Sequence, residues 1–258
     1  MIDWRQWHAE PLLVDGLVLL GWIYGLLAGP WRGRLAPGER WPARAAGYFY
    51  GGLFLAYLAV GSPLERVGGL YLFSVHIALQ LLILYPAAGL LLLGVPAWMG
   101  DRVLAHPVGR ALGSVLFRPW VAGAVFVLVV SAGYAPRLLN GILTHPRGQG
   151  VEHAVDLAAG VLFWWPLLSP SRILPPVGFG GRMLYLFALE VALTGVFTFL
   201  LMAEHPMYPT YELAPRLVPD LTPENDQILG GILLSGISSL VLVGTLGVTF
   251  WQWAKESK

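Results

Sequence analysis

Seven apolar runs dominate this chain, at roughly 11–29, 45–61, 70–94, 117–135, 151–169, 181–203 and 227–250. Crossing the hydrocarbon core of a bilayer takes about 20 predominantly apolar residues, because a helix rises about 1.5 Å per residue. Inside lipid, backbone polar groups must be satisfied within the segment itself, which an α-helix does. The expected fold is therefore all-α: a polytopic membrane protein whose residues 1–258 form a single seven-helix transmembrane bundle. Composition agrees, with 56% hydrophobic and 12% charged residues, against about 25% charged in a soluble domain. Gly-Pro, Ser-Pro, Val-Pro and Ala-Pro pairs punctuate the ends of the runs, where helices are expected to stop. Tryptophans near those ends, such as Trp22, Trp98, Trp120 and Trp251, suit a membrane interface.

The charges orient the bundle. With seven spans, the first, third and fifth loops share a side with the C-terminus. That side holds eleven of the 16 Lys and Arg residues and the opposite side five. Cytoplasmic loops carry the excess of cations, which places the C-terminus in the cytoplasm and the N-terminus outside. The N-terminal MIDWRQWHAEP has mixed charge and no cleavage site, so the first run reads as a span and not as a removable signal. A net charge of +1 gives no electrostatic case for a nucleic-acid partner. The absence of cysteine excludes disulfides, thiolate metal sites and covalently attached haem. The longest loop, 204–226, spaces its prolines along its length and reads as an ordered cap over the bundle.

Chemistry-bearing side chains collect at the outer ends of the spans. His8, His76, His145, His153 and His205 fall there, and only His106 falls on the cytoplasmic side. In VEHAVD, Glu152, His153 and Asp156 lie within one helical turn, with Asp156 on the face shared by the other two. Ionisable groups within a membrane helix cost about 2.5–3.5 kcal/mol on insertion scales and turn to the bundle interior. These three are expected to face inward. His76 and Gln80 likewise share a face of the third span. Two histidines on different helices with carboxylates nearby could bind copper, zinc or haem, or could simply be hydrogen-bond partners of neighbouring helices. EHPMY places His205 and Met207 beside Glu204, a second local set of nitrogen, thioether and oxygen donors. Asp15 and Glu190, within the first and sixth spans, are expected to pair with buried polar groups.

Four segments carry a resemblance: SPLERVGGLYLFSVHIALQLLILYPAAGLLLLGVP (62–96), HPRGQGVEHAVDLAAGVLFWWPLLSPS (145–171), HPMYPTYELAPR (205–216) and DQILGGILL (226–234). In this order and spacing they resemble the CtaG family of cytochrome c oxidase assembly factors, seven-span bacterial membrane proteins. The resemblance runs from about residue 10 to 253, and the LFWWPLL, MYP-x-Y and DQ-x-x-GG pieces together are specific. It implies a non-enzymatic role in maturing haem–copper oxidases at the copper-insertion step, from the extracytoplasmic side of the bacterial cytoplasmic (inner) membrane. It implies oxidase subunits as partners and copper as the metal, with no haem expected. His76, His145 and His153 match the family's candidate copper ligands and are expected to converge, with Glu152 orienting an imidazole. The sequence departs from the family pattern at Gln80 and Gln149, which stand where that pattern has histidines. Amides are poor copper(I) ligands compared with imidazole. The alternative is a structural or accessory membrane subunit of a respiratory or other electron-transfer complex with a degenerate metal site. In that reading Gly230, Gly231 and Gly236 serve helix packing.

Overall fold

The computed structural model describes residues 4, 5, 7, 11–203 and 205–257, and it is helical, with no strand among the described residues. In chain order, α1 (Pro11–Ala28) and the short α2 (Arg32–Leu35) lead into α3 (Ala43–Gly61), which meets α4 (Pro63–Leu70) at a 51° bend. α5 (Phe73–Leu82), a π-helical turn at Ile83–Ala87 and α6 (Ala88–Leu93) form one continuous span. α7 (Ala97–Ala105) and α8 (Pro107–Leu116) follow, and α8 meets α9 (Pro119–Gly133) at 73°. α10 (Pro136–Thr144), α11 (Gly148–Leu168), α12 (Phe179–Leu201), α13 (Pro209–Glu212) and α14 (Pro223–Glu256) complete the chain.

Each of the seven apolar runs is helical. Four of them, Phe73–Leu93, Gly148–Leu168, Phe179–Leu201 and Pro223–Glu256, are long and apolar enough to cross a membrane alone. Counting each bent pair as one span raises the number to six, and the apolar stretch Leu13–Ala28 is shorter. The chain is thus a multi-pass membrane protein, with four to six crossings by this measure where seven are expected. Proline accounts for part of the difference. α9 has 15 residues and reaches crossing length only together with α8, across the bend at Pro119.

Proline also sets several starts. Pro63, Pro107, Pro119, Pro136, Pro209 and Pro223 open their helices, where the missing N–H would be unsatisfied anyway. Pro86 is different, because it lies inside a span. It cannot donate to the preceding turn, and the helix widens there into the π turn. The neighbouring Tyr85 carbonyl accepts the Trp164 indole N–H of α11 at 2.8 Å. The main core surrounds this point: Phe73, Ile77, Tyr85, Phe126, Phe163, Leu189 and Leu234 are all buried in one cluster. α14 packs on α12 and α5, and α11 packs on α9 and α6. A Cβ on Gly230 would lie 2.6 Å from the Phe73 ring and one on Gly231 3.0 Å from Leu201, so both glycines serve close packing. Gly236 does not, since nothing lies within 4 Å of a Cβ there.

At the arginine-rich end of the bundle, Asp101 of α7 holds the turn after α11. Its Oδ1 accepts the Ser171 hydroxyl at 2.7 Å and the Arg172 and Ile173 amides at 2.7 and 3.3 Å. Burial opposes ionisation of this carboxyl, and those donors outweigh it, holding the group below its ordinary range.

Candidate functional site

The opposite end, where α5, α11 and α14 begin, carries most of the buried polar side chains. His76 lies one turn into α5, and Glu152 and His153 lie just over a turn into α11, so the two helices present them at similar depth. All three are buried, as is Asp156 one turn further in. His76 Nε2 lies 3.3 Å from Glu152 Oε1. The contact has ion-pair distance but not hydrogen-bond angles: neither His76 Nε2 nor either Glu152 oxygen makes a hydrogen bond, and His153 Nδ1 makes none. Glu65, on α4, is buried too and acts electrostatically on His76 together with Asp156. No lysine or arginine is buried among the described residues.

Glu152 and His153 are adjacent in a helix, and adjacent residues do not share a face. Glu152 turns to His76 and borders a groove between α9, α10 and α11. His153 borders an apolar cavity lined by Leu17, Ala56, Val60 and Leu157. Asp156 is committed elsewhere: its Oδ2 accepts the Gln80 amide at 3.0 Å, and Gln80 Oε1 accepts the Tyr134 hydroxyl at 2.5 Å. His145 stands apart. It is exposed, and its Nδ1 accepts the Arg147 backbone N–H at 3.2 Å. Gln149 lies against α4, where a Cβ on Gly69 would come within 1.9 Å of its amide nitrogen. Among the described residues no three His, Asp or Glu side chains form a group able to hold a metal ion. The structure thus brings His76, Glu152 and His153 to one neighbourhood and leaves His145 at the surface.

Residues 205–222 close this end as an ordered cap. The Tyr208 hydroxyl donates to the Tyr134 carbonyl and the Tyr211 hydroxyl to the Gly68 carbonyl, both at 2.8 Å. Thr210 Oγ1 donates to Asn140 Oδ1 at 2.8 Å. Gln227 Oε1 accepts the Met207 N–H at 2.8 Å while its amide donates to the His205 carbonyl at 3.4 Å. Met207 packs on the main core, and the His205 side chain is exposed. Glu204 and His8 lie outside the described residues.

Residues 22–256 match the family described as cytochrome c oxidase caa3 assembly factor (Caa3_CtaG). The chain belongs to this family. Comparison with curated proteins and with solved structures gave no match. In this assembly factor the motif pieces acquire physical roles. MYP-x-Y supplies Tyr208 and Tyr211, which fasten the cap, and DQ-x-x-GG supplies Asp226, Gln227 and the two packing glycines. Asp226 accepts the Phe73 amide at 2.6 Å, the Ser74 amide at 3.2 Å and the Ser74 hydroxyl. Sequence reasoning on single residues passed over Asp226, Glu65 and Tyr134. The signal for the first two was present as carboxylates in the first turn after a helix-initiating proline, Pro223 and Pro63. Tyr134 carries no such local mark.

Proposed function

We propose that this assembly factor handles copper on the extracytoplasmic side of the bacterial cytoplasmic membrane and helps place it in a haem–copper oxidase subunit. In this reading the chain makes seven crossings, with the N-terminus outside and the C-terminus in the cytoplasm. The histidine end of the bundle then faces outward. The observation that carries the reading is the buried group His76, Glu152 and His153, whose Nε2, carboxylate and Nδ1 atoms have no hydrogen-bond partner in the protein. Leaving polar atoms buried and unpaired costs about 1–3 kcal/mol each, more for charged groups, so such a group is a receptor for something that satisfies it. Imidazole suits copper, and the neighbouring carboxylates supply compensating negative charge. His145, exposed at the surface nearby, is the ligand that would meet incoming copper first, and Glu152 would orient the His76 ring. Copper here is cargo. A site with few imidazoles, not closed into a tetrahedral cage, suits transfer better than storage.

The test is elemental analysis of detergent-purified protein after copper(I) loading. The parent should bind copper, and His76→Ala with His153→Ala should abolish it. Gln80→His with Gln149→His, which restores the family pattern, should raise affinity by about tenfold or more if one imidazole is gained as a ligand. A restored variant that binds no more copper than the double alanine variant overturns the reading.

One observation favours the alternative, an accessory subunit with a degenerate site. Gln80 bridges Asp156 and Tyr134 as a satisfied structural link. Copurification with an oxidase in equal ratio, with no copper retained on loading, would support it.

A further inference from the structure

A groove of about 600 Å³ runs between α9, α10 and α11. Its rim carries Arg137 at the start of α10, and His145 and Arg147 in the turn before α11, all exposed. Below the rim its walls are apolar, with Leu128, Val129 and Val155 among them. Leu128 is 67% exposed and lies five residues before Gly133, where α9 ends. At about 1.5 Å per residue the groove reaches roughly 7 Å below the helix end. Neither guanidinium has a hydrogen-bond or ion-pair partner among the described residues. The carboxylates that border the groove, Glu152 and Asp156, are 6% and 2% exposed and engage His76 and Gln80 instead.

A guanidinium forks onto phosphate oxygens with two parallel hydrogen bonds, and two unpaired ones at one rim call for net negative charge. The apolar walls call for hydrocarbon. One class of molecule carries both parts, joined at the depth where the rim meets the walls. We infer that this groove binds an anionic phospholipid, its phosphate on Arg137 and Arg147 and an acyl chain along Leu128, Val129 and Val155. A zwitterionic headgroup brings its own ammonium to a rim that is already cationic. An acidic protein surface would satisfy the arginines and leave the walls uncovered. The lipid would cover the side of the bundle where Glu152 and Asp156 come nearest the surface. This site stands independently of any role in copper handling.

Native mass spectrometry of the full-length protein in mild detergent, loaded with equal amounts of dioleoyl phosphatidylglycerol and dioleoyl phosphatidylcholine, tests it. The parent should keep the anionic lipid in preference. Arg137→Ala with Arg147→Ala should weaken that retention by about 5-fold for each guanidinium removed, the usual effect of a cation beside an anionic headgroup. Arg34→Ala with Arg110→Ala, two exposed arginines outside the groove, should leave it unchanged. The inference fails if the parent holds both lipids equally, if the groove variant keeps the anionic lipid like the parent, or if the control variant loses as much. Because no copper enters the measurement, its failure leaves the copper reading untouched.

Discussion

At the scale of single residues, Asp226 shows how a span can begin without a cap of its own. α5 starts at Phe73 with Leu72 before it, and no side chain from its own segment accepts its first amides. Asp226, 2% exposed at the start of α14, accepts them from across the bundle. A carboxylate at a helix N-terminus also meets the positive end of the helix dipole. Asp226→Ala should therefore destabilise the fold by about 2–3 kcal/mol, the cost of leaving buried donors unmet. Asp226→Asn, which keeps an acceptor and loses the charge, should cost about half as much. Thermal unfolding in detergent measures both, and an alanine variant melting within about a degree of the parent would refute the assignment. His76 rides on the same helix start, so this cap also sets the height at which its ring meets Glu152.

At the scale of elements, the contact between α11 and the Pro86 turn leaves no slack. A Cβ on Gly160 would lie 2.5 Å from the Leu84 carbonyl oxygen, so α11 and the π turn touch backbone to backbone. Gly160→Ala should cost about 1–3 kcal/mol, as other overpacked sites do, because backbone and not a flexible side chain must yield. Gly236→Ala is the matched control: with open space around its Cβ position, the change should be neutral or stabilise by up to about 1 kcal/mol through helix propensity. The two unfolding midpoints should move in opposite directions or by clearly unequal amounts. Equal shifts would mean that the Gly160 approach does not limit packing. Both substitutions swap the same residues in apolar helices, and only the neighbours differ.

At the scale of the whole molecule, the buried polar group and the fastened cap share one end, while Asp101 and its turn hold the other. The eleven-to-five division of cations predicts that the Asp101 end is cytoplasmic. A reporter active only outside the cytoplasm should be silent when fused after the last residue and active when fused at Pro146. The reverse pattern would invert the bundle, and with it the side from which copper could arrive.

The apolar runs by themselves determined the helical, membrane-embedded architecture, because transfer of some 20 apolar residues out of water depends on composition along one segment. The same solvent argument foretold that Glu152, His153 and Asp156 would be buried, as they are. The order of the motifs foretold the family. Which polar groups meet could not be read that way. Gln80 bridging Asp156 and Tyr134, Asp226 capping a helix more than 150 residues earlier in the chain, and Glu152 parting from His153 all depend on how each helix is rotated about its axis. Rotation is set by every neighbour at once: by glycines that admit close backbones, by the widened turn at Pro86 and by rings that fill the core. His145 is the plainest case. Its place at the surface, while His76 is buried, follows from the path of the turn between α10 and α11, which is settled only when both helices have docked.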